Sequence, residues 1–383
     1  MSETQKSERS GRFRPFRVID KVRESSVITS FHLKPVDPMG WQPFEAGQFL
    51  VLRVPGPNGG RPVPRSYSVS SSPTREGHYR ITVKREAAPQ AGVPDGLASC
   101  WLHDRIEIGD LIEAAGPRGE FMLDRSSPRP VVLMSGGVGL TPMVSMLHAL
   151  RTETHRPVWF VHACDNGNVH ALRDEVLFAA GQRPDVGVHF CYRFPTEQDA
   201  ALQRHHSDGV LTGNLIGKML PVGDLDYYLC GPPPFMKAVY GILRSGGVPK
   251  ARIAYEFFGP ATVLEEDVER YTQTVVPRHI PSLEPPTVPV ARQPPPVEAA
   301  PSVEFRRAKR SAAWNPKSHS LLDFAEEQGL RPDFSCRSGV CGTCRTKLIS
   351  GEVAYFEEPL DPPPDGEALI CCSRPKGPVV LDL

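Results

Sequence analysis

Residues 336–345 read CRSGVCGTCR. Three cysteines, Cys336, Cys341 and Cys344, stand in a C-x4-C-x2-C spacing. A fourth, Cys371, follows after 26 intervening residues, with Cys372 beside it. Thiols drawn from one tight loop and one distant segment suit a metal centre that takes four thiolates. Gly339 and Gly342 let such a loop wrap closely and turn backbone N–H groups toward acceptor sulfurs. A structural zinc site would instead pair two C-x2-C knuckles. Here the second pair is two adjacent residues, which is the wrong spacing. A set of buried or redox-active thiols is the plainer alternative.

The spacing resembles that of plant-type ferredoxins. The likeness extends over about 80 residues: SLLDFAEEQGL (320–330) reads as an amphipathic helix ahead of the loop, and VVLDL (379–383) as a closing strand. It implies an α+β, β-grasp-like domain over 302–383 with a [2Fe–2S] cluster on Cys336, Cys341, Cys344 and Cys371. In that family the fourth ligand stands four residues before a proline, here Pro375. That selects Cys371, with Cys372 as the alternative.

Upstream, nine of the 25 residues from Pro277 to Pro301 are proline. Proline lacks the N–H and clashes with a preceding helical turn, so this stretch reads as an extended, semi-rigid linker, 265–301. Such a tether suits a ferredoxin module that moves between an internal donor and an outside acceptor. The first residues, MSETQKSERSGRFRPF, are polar and carry no apolar signal core, and 1–10 read as a disordered tail. Lysine plus arginine equals aspartate plus glutamate at 44 each, so bulk charge gives no pull toward nucleic acid. No apolar run reaches the roughly 20 residues that span a bilayer. Nine cysteines, five of them in the last 48 residues, fit a cytoplasmic protein with one local metal site better than a secreted disulfide framework.

The body changes character near residue 126. Before it, FRVIDKV (16–22), VITSFHLK (27–34), QFLVLRV (48–54) and YRITVKR (79–85) alternate between Pro/Gly turns. Period-two patterning of this kind predicts an antiparallel β-barrel over 11–125. After it, apolar strands alternate with helical stretches: PVVLMS then TPMVSMLHAL, VWFVHA then HALRDEVLFAA, DYYLC then PFMKAVYGILRSG. That rhythm predicts an α/β parallel-sheet domain over 126–264.

RSYSVSSSP (65–73) matches the R-x-Y-[ST] motif of the ferredoxin–NADP reductase superfamily. The resemblance implies that Arg65 pairs with a flavin phosphate, that Ser66 lies alongside, that Tyr67 packs on the isoalloxazine and that Ser68 bonds near its N5 edge. GLASCWL (96–102) looks like the family's G-x-x-S-x-x-L helix start, with Ser99 facing a pyrophosphate. Between them VKREAAPQAGVP (83–94), opening on Val83 and Lys84, resembles the longer loop of flavohaemoglobin reductase modules. This points to FAD rather than FMN, with Val83 and Lys84 among the cofactor contacts. As a strand-edge tyrosine and an ordinary helix start, these features would be only packing.

SGGVGLTPM (135–143) follows an apolar strand and opens a helix. Gly136, Gly137 and Gly139 suit close approach to a diphosphate, with Thr141 as N-cap and Pro142 at the first helical position. CGPPPFM (230–236) resembles the family segment whose cysteine, here Cys230 followed by Gly231, lies near the transferred hydride. YEFFGP (255–260) resembles the flavohaemoglobin ending, in which the acidic residue, Glu256, lies by the flavin and the aromatic, Phe258, covers the ring face. Asp165 stands where a ribose 2′ group would be read. A carboxylate there accepts from a 2′-OH and repels a 2′-phosphate, which points to NADH, with NADPH the alternative.

The resemblance thus implies an NAD(P)H-dependent electron-transfer reductase, NADH to FAD to [2Fe–2S], feeding a terminal partner such as a Rieske-type oxygenase or demethylase. Tyr67, Cys230, Glu256 and Phe258 set distance and access, and no side chain need act as general acid or base. Alternatives are the reductase of a hybrid-cluster or other redox protein, or a non-enzymatic redox-sensing module. With no globin ahead of the barrel, a nitric-oxide dioxygenase is not expected. Transient electron-transfer contacts are small, so a monomer is expected.

Overall fold

Alternating apolar residues in the first hundred positions give strands with one face inward, and the computed structural model describes residues 13–88, 95–258, 301–334, 339–340 and 342–383. The tail 1–10, most of the Pro-rich linker, half of the 83–94 loop, Cys336 and Cys341 lie outside the described residues. The chain divides into two compact units, Met1–Gln273 and Thr274–Leu383.

The first unit opens with β1 (Arg14–Arg23), β2 (Ile28–Pro35), β3 (Phe49–Val54), β4 (Val63–Ser68), β5 (Tyr79–Lys84) and β6 (Leu111–Arg118). They form one antiparallel sheet in the order β4-β3-β6-β1-β2-β5. A bridge from Val69, just past β4, to Ile81 of β5 joins the two edges and closes the barrel. Phe16, Val18, Phe31, Leu33, Leu52 and Ile81 fill it. Helix α1 (Leu97–Arg105) covers one mouth.

The nucleotide half runs β7 (Val131–Gly136), α2 (Leu140–Glu153), β8 (Val158–Cys164), α3 (Arg173–Gly181), β9 (Val186–Tyr192), α4 (Glu197–Ala201), β10 (Ser207–Asp208), α5 (Gly213–Met219), β11 (Asp226–Gly231), α6 (Pro233–Ser245) and β12 (Ile253–Phe257). All strands are parallel, in the order β10-β9-β8-β7-β11-β12. The chain runs from β7 to β10 on one side, then crosses to β11 on the other. The topological switch point therefore lies between β7 and β11, where open α/β sheets bind ligands at the carboxyl ends of their strands.

Barrel and nucleotide halves share a core: Ile28, Ala46, Phe121 and Leu123 pack with Leu133, Met143 and Phe160. An ion pair reinforces the seam. Arg80 of β5 gives two hydrogen bonds to Glu175 of α3, at 2.6 and 2.8 Å, and two more to Ser70. His148 of α2 reaches the same carboxylate at 2.6 Å. Burial alone would raise Glu175, but the bonds from His148 and Arg80 outweigh it and hold the carboxyl at about 2. Its native value lies below the unfolded one near 4.5, so this stabilisation is present above about pH 4.5 and is lost as pH falls toward 2. Arg80→Ala should destabilise the first unit by about 3 kcal/mol in denaturant unfolding at neutral pH. Glu175→Gln should flatten the acid limb of its stability curve.

In the second unit β13 (Ser302–Phe305), β14 (Arg310–Ala313), α7 (Leu321–Glu327), β15 (Arg345–Ser350), β16 (Val353–Tyr355), β17 (Glu367–Leu369), β18 (Ser373–Pro375) and β19 (Val379–Leu381) follow in order. Five strands make a mixed sheet, β14-β13-β19-β15-β17, with β13 and β19 parallel at its centre. Ser320 caps α7 by accepting from Asp323 N–H, and Leu321, Leu322, Phe324 and Ala325 bury its inner face against Phe305 and Leu381. The unit is α+β and β-grasp-like.

Candidate functional site

At the switch point the strand ends stand in register: Ser135 of β7 beside Cys230 of β11, and Cys230 beside Glu256 of β12. Two glycine segments meet there. A β-carbon on Gly139 would lie 2.3 Å from the Cys230 carbonyl oxygen, and one on Gly231 would lie 3.0 Å from Gly136 N and 2.7 Å from the Phe235 ring. Glycine is required here because backbone packs directly on backbone. Gly137 differs: its φ is +54° and open space lies where a β-carbon would go, which leaves a free backbone concavity. Gly139→Ala should therefore abolish dinucleotide binding or folding of the nucleotide half, whereas alanine at the spacious Gly217 should be tolerated; NADH titration and thermal melts distinguish the cases.

Thr141 does not cap α2. The 3-10 turn Gly137–Gly139 runs straight into the helix, Gly139 occupies the cap position, and Thr141 is the second helical residue, donating to Val138 O at 3.1 Å. Pro142 accordingly stands third. Neither α2 nor α1, whose cap position is Gly96, has a side chain capping its N-terminus. Helix starts without a side-chain cap suit bound diphosphates, although at α2 the Leu140 N–H already donates to Gly137 O and Val138 O.

Across from the strand ends, β4 brings Ser68 within reach of Glu256, with the hydroxyl donating to Oε2 at 3.4 Å. Burial raises the Glu256 carboxyl to about 8, against the lowering effect of the Ser68 bond. At neutral pH this carboxyl holds its proton. Cys230 is fully buried, and burial, then the Glu256 charge, pushes its thiol well up. Phe258 packs at the edge of the same cluster, with Val138. A proton-bearing carboxyl at this position is a feature the motif reading did not anticipate. The sequence marks Glu256, a residue half-buried overall, but not the burial of its carboxyl that sets its charge.

Tyr67 packs at the edge of the barrel core, and burial raises its hydroxyl above the ordinary range. Arg65 and Ser66 are exposed on β4, and Arg65 donates to Pro64 O at 2.8 Å. Val83 is buried and its carbonyl is 2.8 Å from His103 Nε2. Lys84 pairs with Glu86 at 3.1 Å, and Glu86 N–H donates to Ser99 Oγ, whose hydroxyl donates in turn to Gly96 O. Asp165 is exposed just beyond β8, the strand beside β7, where Ala163 pairs with Gly136, and its carbonyl accepts from Phe194 N–H at 2.8 Å. Motif reading missed Phe235, whose ring lies against both Gly136 and Gly231, and Arg80.

In the second unit Arg345 pairs with Leu369, and Ile370 N–H donates to Cys344 O at 3.5 Å. Cys344 therefore lies beside the Ile370–Cys372 turn, and Cys344 and Cys371 are each only 3% exposed among apolar side chains. Gly339 and Gly342 both have positive φ, +67° and +70°. Two buried thiols next to a loop that turns through left-handed glycines fit a thiolate-held cluster. Cys372 donates to Leu369 O at 3.5 Å.

Three family models match in order: an oxidoreductase FAD-binding domain over 15–123, an oxidoreductase NAD-binding domain over 133–240 and a 2Fe-2S iron-sulfur cluster binding domain over 306–376. The chain is 40% identical over 254 residues to a flavohemoprotein of Bacillus thuringiensis subsp. konkukian, covering 66% of this chain and 62% of that one. To a flavohemoprotein of Bordetella pertussis it is 42% identical over 252 residues, with the same shares. It thus spans about 62% of the length of the curated relatives it matches. Among solved structures, the FAD/NAD binding domain of nitric oxide dioxygenase from Vibrio cholerae is 34% identical, with a TM-score of 0.57, over 64% of this chain and 99% of that one. Phthalate dioxygenase reductase is 27% identical, with a TM-score of 0.53, over 97% of this chain and 98% of that one. The residues at the strand ends, the two uncapped helix starts and the buried cysteine pair fit the FAD, NAD(H) and [2Fe–2S] groups of these domains, and the chain belongs to the ferredoxin–NADP reductase superfamily, as a flavin and nicotinamide module joined to a C-terminal plant-type [2Fe–2S] ferredoxin domain.

Proposed function

We propose that the chain is an NADH-dependent electron-transfer reductase that serves a terminal partner of the Rieske-type oxygenase or demethylase class, as a cytoplasmic monomer. The observation that carries the reading is the order of the three domains, shared with phthalate dioxygenase reductase over 97% of this chain. The bound cofactors supply the chemistry: hydride transfer from nicotinamide to flavin, then single-electron exchange at the iron pair.

The protein binds, orients and excludes water. Arg65, with a planar fork matched to phosphate, is the proposed flavin phosphate contact, with Ser66 beside it and Ser99 at the second anion site. Val83, Lys84 and Tyr67 line the flavin, and Ser68 joins them at the Glu256 end. Gly136, Gly137 and Gly139 form the dinucleotide cradle with Thr141 behind them, and Cys230 and Gly231 form its floor. Phe258 guards the ring face. Glu256 holds a proton at its carboxyl where negative charge would oppose arriving hydride. Asp165 favours NADH, because a carboxylate repels a 2′-phosphate. Cys336, Cys341, Cys344 and Cys371 are the proposed cluster ligands.

Anaerobic protein carrying flavin and cluster should bleach on NADH addition and then reduce cytochrome c, with NADH preferred over NADPH in kcat/KM. Protein that holds zinc in place of iron and sulfide, or that neither nucleotide bleaches, would sink this reading. Among the described residues no helix is long and apolar enough to cross a membrane.

A further inference from the structure

His162 and Cys164 stand two residues apart on β8, so both side chains leave the same face of the sheet. The chain then turns at Asn166 and Gly167, where Val169 N–H donates to Asn166 O and His170 N–H to Gly167 O. This turn returns His170 over the strand, with its ring centroid 4.5 Å from that of His162. One donor atom from each of His162, Cys164 and His170 can be taken so that all lie within 4.8 Å of one another.

Each imidazole is held at its Nδ1 by a hydroxyl from a neighbouring strand. Ser135 of β7 is 2.9 Å from His162, and Tyr192 of β9 is 2.8 Å from His170. The opposite nitrogen, Nε2, is buried in both rings and has no hydrogen-bond partner among the described residues. The two histidines are only 1% and 4% exposed. Leaving two buried ring nitrogens unpaired side by side costs about 1–3 kcal/mol each, so the arrangement calls for an occupant. Cys164 is half-buried, and its thiol donates to Asn166 O at 3.5 Å, a bond that a metal would replace.

We propose that His162, Cys164 and His170 form a zinc site with two nitrogen donors and one sulfur, the imidazoles held from behind by Ser135 and Tyr192 and the fourth position open to water. Zinc bonds of about 2.0 Å to nitrogen and about 2.3 Å to sulfur place tetrahedral donors closer together than 4.8 Å, so the three close by roughly 1 Å on binding. The ion ties β8 to the turn that precedes α3. It uses none of the ferredoxin cysteines.

The test is zinc binding to the full-length protein with its flavin and cluster loaded, counted by elemental analysis beside iron and examined by X-ray absorption at the zinc edge. One zinc per chain is expected in addition to cluster iron, with a mixed nitrogen and sulfur shell. Cys164→Ser and His170→Gln should each weaken binding about tenfold or more, and Tyr192→Phe about tenfold. Cys191→Ser should leave affinity unchanged. Cys164→Ser keeps the size of a half-buried side chain, so it remains informative if His170→Gln fails to fold. Absence of zinc beyond the cluster, unchanged affinity in Cys164→Ser, or a shell of sulfur alone would overturn the proposal; the last would put the ion on the ferredoxin cysteines.

Discussion

Cys371→Ser should strip the protein of iron and acid-labile sulfide and lower NADH-driven cytochrome c reduction by about a hundredfold or more, while Cys372→Ser keeps both. The two thiols are adjacent and both buried, so composition does not separate them. Cys371 is the proposed ligand and Cys372 its buried neighbour. Cys372 donates to Leu369 O, and its sulfur lies 2.8 Å from where a β-carbon on Gly339 would sit. A serine hydroxyl can make the same bond to Leu369, so that substitution preserves the turn. Both cysteines stand on the Ile370–Cys372 turn, whose Ile370 N–H donates to Cys344 O. NADH reduction of ferricyanide, which the flavin can serve directly, should survive Cys371→Ser. Iron retained in Cys371→Ser and lost in Cys372→Ser would exchange the two roles.

The second large effect concerns Glu256. Burial holds its carboxyl at about 8, so below that pH it is neutral and above it an anion. If Glu256 lies by the flavin as proposed, its anion would oppose the arrival of hydride. The rate of flavin reduction by NADH, measured in a single turnover, should hold steady below about pH 8 and fall by about tenfold for each unit above it. Glu256→Gln is neutral throughout and should remove the inflection. Stability carries the same signature with a definite sign. The native value lies above the unfolded one of 4.5, so the native state keeps a proton that the unfolded state releases. Stability therefore falls as pH rises from about 4.5 to about 8, by no more than about 5 kcal/mol, and is level above that. Denaturant melts of wild type and Glu256→Gln across this range would check it; parallel curves would show that the carboxyl titrates normally.

Much of the fold was legible because its signals are local. Period-two alternation in FRVIDKV and VITSFHLK became β1 and β2, and the strand–helix rhythm from PVVLMS onward became a parallel sheet. SLLDFAEEQGL became α7 with Ser320 as its cap. The start of α2 was misread because Thr-Pro is a common helix opening, whereas the 3-10 turn of three residues before it had already committed the chain. Arg80 and Glu175 are 95 positions apart and carry no motif, so the ion pair that joins barrel to sheet was invisible.

The sequence alone determined which chemistries are present: cysteines at cluster spacing, glycines at a strand-to-helix turn, and an arginine–tyrosine–serine run on a barrel strand. These are matters of residue type and short spacing. Tertiary structure alone decided charge states and neighbours. It set Cys230 between Ser135 and Glu256, enclosed the Glu256 carboxyl until it kept its proton, and left His162 and His170 facing each other with bare nitrogens. The reason is physical: desolvation and hydrogen bonding depend on what the fold brings within a few ångströms, and strands far apart in sequence supply those neighbours.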